Sequence, residues 1–173
     1  MTARHHQPRF EHLLHEHRKI VFKVAGAYAR GADRDDLAQE ITAQLWRSFG
    51  SYDETRAKFS TWMYRIALNV AISQTRRQRG DPVARGEPLE AWHLDTIGGG
   101  ELPEPDARID RMMAFIHQLD RLNRALVLLY LEERSYAEIA DVLGISETNV
   151  ATKLGRIKQK LRGQMSGAQT TGA

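Results

Sequence analysis

SYAEIADVLGISETNVATKLGRIKQK, residues 135–160, decides the fold. It reads as helix, tight turn, helix. The first helix spans Tyr136 to Leu143, with Ile139, Ala140 and Leu143 at helical spacing on its inner face. Ser135 stands at its start with Glu138 three residues on, the pattern of a capping box. Gly144 supplies the turn, where a positive φ costs no side-chain clash. Ser146 caps the next helix. There Val150, Leu154, Ile157 and Leu161 recur at steps of four, three and four and form one apolar stripe. The free face carries Thr148, Asn149, Thr152, Arg156 and Gln159, flanked by Lys153, Lys158 and Lys160. Such side chains hydrogen-bond to base edges or pair with phosphates. A helix so presented is suited to the major groove of DNA, with Ser146, Thr148, Asn149, Thr152, Lys153 and Arg156 as the candidate contacts. The competing reading is a helical hairpin with a merely solvated face.

The chain around this motif is also helical in pattern. Residues 12–29 place Leu13, Ile20, Val24 and Tyr28 near one face. Residues 34–49 follow a turn at Gly31, with Leu37, Ile41 and Leu45 inside and Asp36, Gln39, Glu40, Ala43 and Arg47 largely outside. Residues 51–54 read as a loop. A helix over residues 60–77 is expected to turn Phe59, Met63, Ile66 and Val70 inward, and Arg65, Leu68, Asn69, Ile72 and Arg76 outward. Residues 110–119 and 121–131 form two more helices, the base for the terminal pair. After Leu161 no apolar face continues, so fraying is expected there.

Charge divides the 173 residues further. Residues 1–80 carry a net charge of +6, residues 81–110 one of −6, residues 111–150 one of −2, and the tail from 151 one of +5. Two positive regions flanking an acidic one suggest two modules that face polyanions. The acidic stretch 81–106 holds four of the five prolines and Gly98 to Gly100, which marks it as a linker; Trp92 and Leu94 are its candidate anchors. The expected fold class is all-α: two small helical domains, residues 10–80 and 108–163, joined by a flexible acidic linker over 81–107, with a flexible tail over 164–173.

Several chemistries find no support. There is no cysteine, hence no disulfide framework or thiolate site. His5, His6, His12, His15 and His17 lack a second set of acidic ligands, and none forms HExxH, so no metal and no cofactor is expected. Gly98 to Gly100 is not followed by the Lys-Ser or Lys-Thr of a phosphate loop. MTARHHQPRF lacks the apolar run of a secretory signal, and no segment approaches the roughly 20 apolar residues of a membrane span. The simplest expectation is a non-enzymatic cytoplasmic protein.

Two further segments sharpen the reading. FSTWMYRIALNVAISQTRR, residues 59–77, resembles regions 2.3 to 2.4 of the sigma-70 family of RNA polymerase sigma factors, in its extracytoplasmic-function type. DLAQEITAQLW, residues 36–46, resembles region 2.2, and residues 135–162 resemble region 4.2. The resemblance implies that Asp36, Gln39, Glu40, Ala43 and Arg47 dock on the clamp helices of the polymerase largest subunit. It implies that residues 51–62 hold flipped bases of a −10 element, and that Tyr52, Trp62, Arg65, Asn69, Arg76 and Arg77 bind or melt −10 DNA. The C-terminal helix pair would bind a −35 element and rest on the polymerase flap. The linker would run near the RNA exit channel. An anti-sigma factor is a further implied partner, covering the polymerase-binding faces. Core polymerase and promoter DNA would thus be the partners, at the nucleoid. The chain departs from the family at Leu119-Asp120 or Leu122-Asn123, where Leu-Pro is common. It departs again at Asn149, and at Gly155-Arg156-Ile157, where an aromatic residue or His precedes Arg-Ala. A conventional helix-turn-helix regulator acting without polymerase, and an adaptor with no DNA role, are the alternatives.

Overall fold

The computed structural model describes residues 6–79 and 107–167, and all regular structure in them is helical. The chain divides into two units, Met1–Ala84 and Arg85–Ala173. The linker expectations, Trp92 and Leu94 included, lie outside the described residues.

The first unit holds α1 (Gln7–Tyr28), α2 (Gly31–Ser48), a 3-10 turn (Phe49–Ser51) and α3 (Phe59–Arg79). α1 begins earlier than the apolar pattern suggests. Pro8 stands in its first turn, where its missing N–H costs nothing. Gly31 has a φ of 53° and turns the chain sharply between α1 and α2. The inner stripe of α2 is as expected, with Leu37, Ile41 and Leu45 buried. α3 differs. Thr61, Met63, Tyr64, Ala67, Leu68 and Ala71 are buried, whereas Ile66, Val70 and Ile72 are only half-buried. The expectation that Leu68 faces outward is corrected: Phe59 and Met63 are buried as expected, and the buried arc widens from them through Tyr64, Ala67 and Ala71 to Leu68. The cause is that α3 packs on both α1 and α2. Met63, Tyr64 and Leu68 are wholly buried there beside small Ala67 and Ala71, so the buried side is wider than one stripe.

The second unit holds α4 (Ala107–Gln118), α5 (Arg121–Leu131), α6 (Tyr136–Leu143) and α7 (Glu147–Gly167). Asp120 caps α5 by accepting the Asn123 backbone N–H at 2.8 Å. Phe115, Ile116, Leu119, Val127 and Ile157 form one apolar cluster, with Met112 and Leu161 packed against it. Ile139, Val150 and Leu154 are buried with Leu126 and Leu129. α7 runs past Leu161, where fraying was expected. Gln164 donates to the Gln118 side chain at 3.3 Å, and Met165 is half-buried, so the last turns have packing that the sequence pattern does not advertise. Residues 168–173 lie outside the described residues.

Both sides of the capping box on α6 are formed. Ser135 Oγ accepts the Glu138 N–H at 3.1 Å, and Glu138 Oε2 accepts the Ser135 N–H at 3.0 Å. Ser135→Ala leaves a helix-start N–H without its partner. It should cost about 1 kcal/mol and lower the melting temperature of this small unit by about 4–8 °C. Thermal denaturation followed by circular dichroism checks this.

Candidate nucleic-acid interface

The helix pair α6–α7 is built as the sequence indicates, except that on α6 Val142 is buried and Leu143, expected inside, is half-buried. Gly144 adopts a φ of 68°, and the Ile145 N–H reaches back to the Ala140 carbonyl at 3.1 Å, which closes the turn. Ser146 Oγ accepts the Asn149 N–H at 3.1 Å. That candidate contact therefore already serves as the α7 cap, with its side chain at the surface. Thr148, Thr152, Gly155, Arg156 and Gln159 are exposed, opposite buried Val150, Leu154 and Ile157. Asn149 and Lys153 are half-buried at the edges of this face. The Thr152 hydroxyl donates to the Thr148 carbonyl at 2.9 Å, which fixes its rotamer while its oxygen keeps acceptor capacity. Lys158 is spent elsewhere. Its ammonium lies 4.4 Å from the Tyr130 ring centre, and its pKa is raised, first by a hydrogen bond with the Tyr130 side chain.

In the first unit the candidates fall into three places. The loop after the 3-10 turn is internally braced. Asp53 Oδ1 accepts both the Thr55 hydroxyl at 2.6 Å and the Thr55 N–H at 2.9 Å. These bonds, the hydroxyl first, hold the Asp53 carboxyl below its ordinary pKa. Their ordering effect is present above the unfolded pKa and fades as pH falls through the folded one. The Tyr52 hydroxyl donates to the Ala57 carbonyl at 3.2 Å, and Arg9 on α1 pairs with Glu54. Burial, and then Glu54, raise the Tyr52 pKa.

Under this loop lies an aromatic cluster. Tyr52, Phe59 and Trp62 have ring centres 5.1–5.4 Å apart, and Phe49 and Phe10 extend the group. Phe59 is core. Trp62, a candidate base contact, is buried in this cluster, with 9% of its surface exposed; Tyr52 is half-exposed above it. Of the two rings expected at the −10 DNA, Tyr52 reaches the loop surface and Trp62 forms its floor.

The third place is α2. Asp36, Gln39, Glu40 and Arg47 are exposed and Ala43 is half-buried. Arg47 Nη2 donates to Glu40 Oε1 at 2.9 Å and to Gln44 Oε1 at 3.0 Å. Two grooves flank α2. One of about 660 Å³, against α3, brings Asp36 and Glu40 together with Asn69. The other, of about 1070 Å³ against α1, holds Gln39, Ala43, Phe22 and Trp46. Phe22 and Trp46 are exposed apolar side chains that no sequence expectation assigned. Trp46 was legible, since it ends the region 2.2 motif with its ring off the apolar stripe. Phe22 carried no such signal. Arg65 is half-buried on α3. Arg76 and Arg77 lie in the last turns of α3, with their side chains outside the described residues.

Among the described residues no group of three or more His, Asp or Glu side chains is placed to hold a metal ion. No helix there is long and apolar enough to cross a membrane.

Comparison with known proteins agrees with this layout. The family model described as Sigma-70 region 2 matches residues 13–80, and that described as Sigma-70, region 4 matches residues 109–161. The ECF RNA polymerase sigma factor SigW of Bacillus subtilis is 32% identical over 143 residues, covering 77% of this chain and 75% of that protein. The ECF RNA polymerase sigma factor SigM of Mycobacterium tuberculosis is 26% identical over 157 residues, covering 88% of this chain and 74% of that protein. Among solved structures, CnrH in complex with the cytosolic domain of CnrY superposes with a TM-score of 0.66 at 20% identity, over 95% of this chain and 92% of that one. The sigma factor RpoE of Bartonella quintana, in complex with the anti-sigma factor NepR, gives 0.61 at 16% identity, over 92% and 96%. At these identities the two structures show a shared fold.

Proposed function

Since the chain belongs to the sigma-70 family and matches its extracytoplasmic-function members, we propose that it directs promoter-specific transcription initiation through a split recognition surface. Core RNA polymerase and promoter DNA are its partners, and the chemistry of RNA synthesis is the polymerase's. It works in the cytoplasm, at the nucleoid when bound to polymerase.

Residues 10–80 form the module that docks on polymerase and takes the −10 element; residues 108–163 form the −35 reader; residues 81–107 join them. On α7, Thr148, Thr152 and Arg156 are exposed opposite the core and face the −35 major groove, with Asn149 and Lys153 at the edges and Ser146 at the helix start. Tyr52, above the Trp62 floor, stacks on an unpaired base of the −10 element, while Arg65, Asn69, Arg76 and Arg77 run along its DNA. On α2, Asp36, Gln39, Glu40, Ala43 and Arg47 take the clamp helices, and the second unit rests on the flap. An anti-sigma factor would compete for these same polymerase-binding faces.

The single observation that carries the reading is the coexistence of the capped, glycine-turned α6–α7 pair with a second helical unit bearing an acidic α2 face. A conventional regulator needs only the first. Run-off transcription with core polymerase on a genomic fragment library tests it. New start sites that require the chain are expected, and their absence overturns the reading. On such a promoter, Arg156→Ala should weaken binding by about 1–3 kcal/mol if Arg156 reads a base edge. Equal loss on every sequence would make it a phosphate contact.

A further inference from the structure

Two hydroxyls at the surface of α7 are already engaged within the fold, with opposite polarity. Ser146 Oγ accepts the Asn149 N–H at 3.1 Å, so its proton stays free to be donated outward. Thr152 does the reverse. Its hydroxyl lies 2.9 Å from the Thr148 carbonyl, which has no proton to give, so the hydroxyl donates inward. The β-branched side chain is stiff at χ1, and turning the proton outward would break that bond. Thr152 is exposed on the face opposite buried Val150, Leu154 and Ile157. What it offers a partner there is an oxygen that accepts. Its neighbours Lys153 and Arg156 only donate.

DNA sorts its groups by the same polarity. Phosphate oxygens accept and do not donate. In the major groove guanine N7 and O6, adenine N7 and thymine O4 also accept; only the adenine N6 and cytosine N4 amines donate. We infer that Thr152 is a specificity-determining residue of α7, whose acceptor oxygen pairs with the exocyclic amine of one adenine or cytosine in the −35 element. This rests on the proposed function of α7. A threonine held in this way has no partner in the phosphate backbone, whereas Lys153 and Arg156 suit phosphate, guanine and thymine. Each base pair carries one such amine, so Thr152 reads which strand holds it. Guanine or thymine at that place sets an acceptor against an acceptor.

The test uses the full chain assembled with core polymerase, on a promoter fragment recovered from the genomic library with the wild-type chain. Across the −35 element each adenine is replaced in turn by purine and each cytosine by pyrimidinone, which lack the amine. At one position the analogue should weaken wild-type binding by about fivefold, the scale of one hydrogen bond, and binding by Thr152→Val hardly at all. A weakened base pair would affect both chains alike, so the difference isolates the contact. Valine keeps the shape and a similar helix propensity, so the melting temperature should hold. Thr152→Ser can make the same inward bond and should keep the discrimination. Losses that add at every position, equal loss on all sequences, or a serine variant as weak as the valine one overturn the inference. Arg156→Ala distinguishes the two levels. If it loses binding while Thr152→Val keeps it on every fragment, the inference alone fails; if neither loses binding, the reading of α7 fails with it.

Discussion

Leu129→Ala should strip the second unit of most of its stability while the first keeps its own. Leu129 is wholly buried in α5, the helix on which α6 and α7 both pack. Truncation removes its transfer energy and leaves a cavity where α5 meets α6 and α7, together about 3 kcal/mol. A unit of this size buries few apolar side chains, and its total stability stands near the low end of the usual range, about 5 kcal/mol. The loss is therefore most of what holds it. Hydrogen exchange read residue by residue checks this. Protection should fall across α5, α6 and α7 and persist in α1 to α3, whose buried residues form a core of their own. Transcription from −35-dependent promoters should become temperature-sensitive with it. Protection retained in α7 would mean that the cavity collapses or that α4 contributes more than its contacts suggest.

This effect was visible in the sequence because α5 to α7 carry narrow apolar stripes, separated by a capping box and one glycine. Local signals and tertiary packing agree there, and the α5 and α6 boundaries emerge as read. α3 shows the opposite case. It packs on both α1 and α2, so its buried side is wider than one stripe and takes in Tyr64, Ala67, Leu68 and Ala71 as well as Phe59 and Met63. Periodicity counted on large residues chose the Ile66 and Val70 side, which instead lines a groove with Asp36 and Glu40. The resemblance implied Trp62 and Tyr52 alike as contacts to −10 DNA. Only three-dimensional packing separates them, with Trp62 beneath and Tyr52 at the surface. The far end of α7 was missed because its support, Gln164 on Gln118, joins residues 46 positions apart through polar atoms.

The largest functional effect is expected from the double reversal Asp36→Arg, Glu40→Arg. Both carboxylates are exposed on α2, and they meet Asn69 across one groove. Within the described residues the fold asks little of them. Glu40 pairs with Arg47, but both side chains are more than half exposed, and such a surface pair contributes at most about 1 kcal/mol. The melting temperature should therefore hardly move. The acidic face is unusual in a segment, residues 1–80, whose net charge is +6. A positively charged partner on that face would gain from it and would be repelled by arginines, at a cost of several kcal/mol for like charges brought together. Co-elution of the chain with core polymerase should accordingly be lost, and run-off transcription with it. Duplex DNA retention by α7 in the isolated chain should stay at the wild-type level. The milder Glu40→Gln should weaken assembly without abolishing it, and more so at low salt than at high salt. A double variant that still co-elutes and transcribes would place the polymerase contact elsewhere. The groove of Phe22 and Trp46 would be the next surface to test, because its apolar rings would be indifferent to the charges on the other side of α2.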